Sequence, residues 1–144
     1  MSAIRVMTID DYDAVIQLMN QTPGVSVRQA DSRQAVARYL DRNPGLSFVA
    51  CSDDTVVGCI MSGHDGRRGY LQHLLVRPEH RGRGIGSMLV ERCLDALGEL
   101  GIQKSHVDVF KTNVMAARFW VRQGWKLRTD IDRYSCIRGG NENA

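Results

Sequence analysis

Arg81, Gly82, Arg83, Gly84, Ile85, Gly86 and Ser87 are the stretch whose residue types and spacing point most directly to chemistry. They follow the apolar run Leu74-Leu75-Val76 and the turn Arg77-Pro78-Glu79-His80, and they precede a helical pattern. Glycines let a backbone come close to a ligand and aim successive N–H groups at one point. A helix start adds donors with no intrahelical partner and the positive end of the macrodipole. Two arginines add charge and directional donors. The combination is an anion site suited to phosphate. Neither common nucleotide motif fits. A P-loop needs a lysine after its glycines, and the dinucleotide fingerprint matches Gly82 and Gly84 but finds Ser87 in the third glycine's place. The plainer reading is a glycine-rich turn before a core helix.

Other reactive side chains are scattered. Cys51, Cys59, Cys93 and Cys136 include no Cys-x-x-Cys pair, and with His64, His73, His80 and His106 they show no zinc-site spacing, so no metal is expected. Three of the cysteines sit among apolar residues and read as small buried thiols. Tyr70 and Gln72 share a face of a strand by period-two alternation, which puts His73 on the opposite face as a core or surface histidine. His64 and Asp65 flank a turn and read as stabilising it.

The elements that must position these groups follow from the pattern. Residues 4–7 form a short strand, and Asp10 looks like an N-cap for a helix carrying Val15, Ile16, Leu18 and Met19. Residues 21–30 read as a loop. Asp31 or Ser32 then opens a helix with Val36, Tyr39 and Leu40 on its apolar side, ended by Pro44. Strand-like runs at 46–51 and 55–62 are joined by Asp53-Asp54, and a turn at 65–69 leads to a strand over 70–76. Leu89, Val90, Cys93, Leu97 and Leu100 recur at helical spacing up to Gly101. Residues 107–110 read as a strand, Asn113 caps a helix that Gly124 closes, and residues 125–131 and 133–137 read as two last strands. The expected fold is α+β: a central mixed, mostly antiparallel sheet of six to seven strands with about four helices on both faces.

The 144 residues make one domain, its core at about 4–138 and a polar tail at 139–144. With 43% hydrophobic and 24% charged residues, the composition is that of a soluble globular protein. The longest apolar runs fall far short of the ~20 residues that span a bilayer. No basic-then-apolar leader opens the chain, and a cytoplasmic location is expected. A net charge of +3 suits an anionic ligand and is too mild for a dedicated nucleic-acid binder. Neither nucleic acid nor membrane is an expected partner.

Arg81-Gly82-Arg83-Gly84-Ile85-Gly86 resembles the Arg/Gln-x-x-Gly-x-Gly/Ala signature of the GNAT superfamily of acyl-CoA-dependent N-acetyltransferases. Its place after a strand ending Val-x-Pro, and before a long amphipathic helix, strengthens the resemblance. Asn113-x-x-Ala116-x-x-Phe119-Trp120-x-x-x-Gly124-Trp125 is similar to a second block of that family, and the element order agrees over about residues 4–138.

The resemblance implies an enzyme that transfers acetyl from acetyl-CoA, its co-substrate, to a primary amine by direct attack in a ternary complex. The acceptor would be a small-molecule amine or a peptide or protein N-terminus. Leu74, Leu75 and Val76 would line the pantetheine, with the backbone of Leu74 and Val76 pairing with it, and the loop from Arg81 to Ser87 would cradle the pyrophosphate. Asn113 would meet the pantetheine arm or the acetyl end, and Phe119 and Trp120 would pack beside the cofactor or in the core. Asp108 stands five residues before Asn113, where the ribosomal-protein acetyltransferases of the family carry a glutamate, and is the expected general base. Trp120 departs from the pattern, because the family's usual tyrosine there protonates the departing thiolate and an indole N–H is no usable acid. Either the thiolate would then leave unaided, or Tyr134 or a water would substitute. The alternative is a non-catalytic or weakly catalytic acyl-CoA-binding module. Family members commonly form homodimers, though no residue here demands one.

Overall fold

A computed structural model describes residues 2–144. They form two compact units, one ending at Asp108 and the other Val109–Ala144. The first holds a five-stranded sheet in the order β1 (Ser2–Val6), β2 (Phe48–Ser52), β3 (Thr55–His64), β4 (Gly69–Val76) and β5 (Ser105–Val107). The first four strands are antiparallel to their neighbours, and β5 runs parallel to β4. The Asp53-Asp54 turn closes the β2–β3 hairpin with both residues at positive φ, 49° and 65°, the backbone that matches strand twist.

Pairing in β2 and β3 sorts the core. Val49 sits opposite Cys59 and belongs with Met61 and Leu75 to the cluster built around Val15, Leu18 and Met19 of α1 (Tyr12–Gln21) and Val36 of α2 (Arg33–Arg42). On the other face Phe48 lies under the Arg92 guanidinium, 5.0 Å from its ring centre, and a side chain at Gly58 would meet Ile85 and Leu89. Both helical residues belong to α3 (Ile85–Glu99), whose Leu89, Val90, Cys93 and Leu97 are essentially inaccessible. Each such aliphatic side chain contributes about 1.5–3 kcal/mol by leaving water. Helices therefore cover both sheet faces, as alternation predicts.

One helix start differs from the sequence reading, and a second picks one of its two alternatives. Thr8 and a 3-10 turn over Ile9–Asp11 precede α1, so Asp10 is not its cap. Asp11 is buried instead and takes two hydrogen bonds from the Arg5 guanidinium, at 2.9 and 2.7 Å, and one from the Thr8 N–H at 2.9 Å. For α2, Ser32 is the cap, accepting from the Ala35 N–H, which leaves Asp31 for other work.

The second unit contains α4 (Val114–Arg122), capped by the Asn113 side chain, which accepts from the Ala116 N–H at 3.1 Å. Trp120 is buried against Phe119 and Trp125, with ring centres 5.2 and 4.7 Å away. Residues 125–137 form no strand, so the sheet has five strands and not the expected six to seven. Their alternating pattern meets the sequence requirement for a strand, but backbone groups must also find a ladder partner. Leu127 and Tyr134 stand 85% and 91% exposed there.

Candidate functional site

Two features of the first unit could act on a ligand. One is built from backbone. β4 and β5 pair only from Gly69–Ser105 to Leu71–Val107, so beyond Leu71 no described strand pairs with that edge of β4. The free edge runs past Leu74, Leu75 and Val76 toward the glycine loop. In that loop Gly82 and Gly84 have φ of 77° and 81°, and a Cβ at either would point into open space. Gly84 is the N-cap of α3, and the first bond of the helix runs from the Met88 N–H to the Gly84 carbonyl at 3.0 Å. The Ile85 and Gly86 N–H groups consequently have no intrahelical partner. Ile85 anchors the helix start by its buried side chain, so only its backbone serves a ligand. Arg83 is exposed, whereas Arg81 folds back to donate to the Val76 carbonyl at 3.0 Å. Open glycines, helix-end donors and a cation fit a phosphate group.

The other feature is built from side chains. In β4, His73 and Leu74 together oppose one residue of β3, because Cys59 pairs with Leu75 and Met61 with Gln72. His73 takes φ of 52°, a left-handed conformation that histidine tolerates better than most residues. The buried Cys59 thiol donates to the His73 carbonyl at 3.4 Å. Burial pushes that thiol up to about 12, so it stays a neutral donor. This bulge overturns strict alternation: His73 lines the same cleft as Gln72, rather than facing the opposite way.

The cleft holds about 270 Å³ and is lined by Asp31, Arg38, Tyr39, Arg42, Gln72 and His73, among others. Asp31 is buried and pinned at three points. Its carbonyl accepts from the Tyr12 hydroxyl at 2.6 Å, Oδ2 accepts from the Arg28 N–H at 2.8 Å, and Oδ1 lies 2.8 Å from His73 Nε2. Burial pushes the Tyr39 phenol up, and the Gln72 side chain in the same cleft works against the shift. Another cleft, of about 380 Å³, lies beside Met7, Leu40 and Pro44, and its lining carries no comparable pair of interacting ionisable groups.

The remaining expected site residues are Asp108, at the end of the first unit, and four residues of the second unit. Asp108 is exposed just beyond the end of β5, not inside a buried strand. Asn113 has its side-chain oxygen engaged as a helix cap. Phe119 and Trp120 share the aromatic cluster of the second unit, and Tyr134 is exposed in its strandless segment. The Asp31–His73 pair was absent from the sequence reading. Its partners are 42 residues apart, and nothing in the sequence marks a bulge at a histidine. Among the described residues no helix is long and apolar enough to cross a membrane.

Residues 12–125 match the acetyltransferase (GNAT) family. An acetyltransferase of Pectobacterium atrosepticum, ECA0875, is 36% identical over 110 residues, covering 76% of this chain and 77% of that protein. An acetyltransferase of Yersinia pestis is 34% identical over 110 residues, with the same 76% and 77% coverage. Among solved structures, the PaiA N-acetyltransferase of Thermoplasma acidophilum in complex with coenzyme A is similar with a TM-score of 0.81. That match is 21% identical and covers 92% of this chain and 93% of the other, a likeness of fold.

Proposed function

The chain belongs to the GNAT acetyltransferase family, and on that premise we propose that it transfers an acetyl group from acetyl-CoA to a primary amine by direct attack in a ternary complex. The observation that carries this reading is the free edge of β4 leading into a glycine loop at the start of α3. That edge offers backbone groups to the amides of a pantetheine arm along Leu74, Leu75 and Val76. The N–H groups from Gly82 to Gly86, with Arg81, Arg83 and Ser87 around them, suit a pyrophosphate. When bound, acetyl-CoA supplies an acyl group activated as a thioester. The protein's tasks are to hold it, to exclude water and to take a proton from the amine.

Asp108 and His73 are the two groups in this reading that can accept the amine proton, and His73's place in a cleft favours it. In this proposal Asn113, Phe119 and Trp120 keep the places that the family resemblance gives them, beside the pantetheine arm or the acetyl end. The acceptor is a small-molecule amine or a peptide or protein N-terminus. Tyr134 is the group proposed to supply a proton to the departing thiolate. The cytoplasmic setting expected from the sequence and a homodimer remain parts of the proposal.

A second reading, an acyl-CoA-binding module with little turnover, is favoured by Trp120. Its indole is packed against Trp125 and Phe119 and replaces the acid that the family resemblance expects. Release of free coenzyme A thiol on mixing the protein with acetyl-CoA and a panel of primary amines separates the two. Amine-dependent release is expected. Binding of acetyl-CoA without release would establish the module instead.

A further inference from the structure

The cleft beside β4 carries charge of both signs in a definite arrangement. Asp31 is fully occupied at its inner end, by His73 and by the Arg28 N–H. At its rim stand Arg38 and Arg42, one turn apart on α2 and both exposed. Among the described residues neither guanidinium has an ion-pair partner. By contrast, Arg5 and Arg128 each hold a carboxylate at 3.0 Å or less. Two neighbouring guanidiniums without a carboxylate suit a carboxylate or phosphate, which they can bind through paired N–H donors.

The His73 ring supplies the other half. With Nε2 held by the Asp31 carboxylate, the neutral ring carries its proton there, and Nδ1 keeps the lone pair. A carboxylate behind a histidine fixes its tautomer and stabilises the cation formed when it accepts a proton.

Building on the acetyl-transfer reading, we infer that this cleft receives an amine whose other end carries a carboxylate or phosphate, with Arg38 and Arg42 binding the anion and His73 accepting the amine proton. In the step itself the amine nitrogen bonds to the acetyl carbonyl carbon and the C–S bond breaks. Its electron pair leaves on the coenzyme A sulfur, and one amine proton ends on His73 Nδ1. Asp31 is a positioning residue. The cleft's volume, about 270 Å³, suits a molecule of amino-acid size.

The test compares acetylation of matched amines, glycine against glycinamide and phosphoethanolamine against ethanolamine. Wild type is expected to favour the anionic member of each pair by about tenfold or more in kcat/KM. The double variant Arg38→Gln/Arg42→Gln should raise KM for the anionic amines about tenfold, leave kcat nearly unchanged and erase the preference. His73→Gly keeps the left-handed backbone open, should lose kcat by about a hundredfold and should regain part of it with added imidazole. Equal use of neutral and anionic amines by wild type would overturn the substrate class. Failure of imidazole to restore a folded His73→Gly, judged by its melting curve, would overturn the role of His73. Absence of any thermal shift with acetyl-CoA, together with no thiol release from any amine, would sink the acetyl-transfer reading itself.

Discussion

The glycine loop and the α2–β4 cleft lie on one sheet and are made in opposite ways. The loop is continuous in sequence, and its donors are backbone N–H groups at a helix end, set by the left-handed φ of Gly82 and Gly84. The cleft joins Asp31 to His73 across 42 residues, and its chemistry resides wholly in side chains. A site made of backbone tolerates side-chain changes as long as its dihedrals survive. A site made of side chains can lose its chemistry at one substitution with the backbone intact.

The sharpest way to break that contrast is His73→Asn, since asparagine also tolerates the left-handed backbone. Turnover should fall by about a hundredfold or more while acetyl-CoA binding stays within about twofold, read from kcat and from a binding titration. A loss of acetyl-CoA affinity would make the two regions one.

Asp11→Ala provides a contrast outside both regions. It strands the Arg5 guanidinium and the Thr8 N–H and should cost about 1–3 kcal/mol in denaturant unfolding, with catalysis unchanged. Arg5 is 51% exposed, so solvent screening favours the lower end. The Arg5 guanidinium holds the Asp11 carboxyl below its ordinary value, against the opposing effect of burial. This stabilisation is therefore present above about pH 4 and is lost as pH falls through the lowered folded value. Wild type and variant should converge in stability toward strong acid.

Gly84→Val forces a β-branched residue into φ of 81°, at a cost of about 1–2 kcal/mol. If the loop relaxes to escape that strain, KM for acetyl-CoA should rise about tenfold, with the preference among amines unchanged. Arg83→Gln, removing one exposed charge, should have the smallest effect. A change of about threefold in acetyl-CoA affinity, shrinking with added salt, is the expected reading.

What the sequence made legible follows the same division. The loop, α3, the hairpin turn at Asp53-Asp54 and the Asn113 cap all depend on residues a few positions apart, so local chemistry announces them. Alternation puts His73 on the wrong face because it assumes no bulge, and the bulge depends on pairing with β3. Asp31 and Ser32 offer the same capping chemistry in sequence, and only the fold gives the cap to Ser32. The strands expected at 125–131 and 133–137 had the right alternation and lack a ladder partner, which no single segment can reveal. Asp108 falls within the strand expected at 107–110, yet β5 ends at Val107.

The measurement that tests this division most directly is a thermal-shift titration with acetyl-CoA on wild type, His73→Asn and Gly84→Val, with ATP and NAD as anionic controls. At a hundredfold excess over Kd, binding stabilises the folded chain by about 2.7 kcal/mol, a rise of roughly several degrees. Wild type and His73→Asn should shift alike with acetyl-CoA and little with the controls, while Gly84→Val should need about tenfold more ligand for the same shift. An equal shift with all three ligands, or a Gly84→Val protein that binds as wild type while His73→Asn does not, would contradict the account.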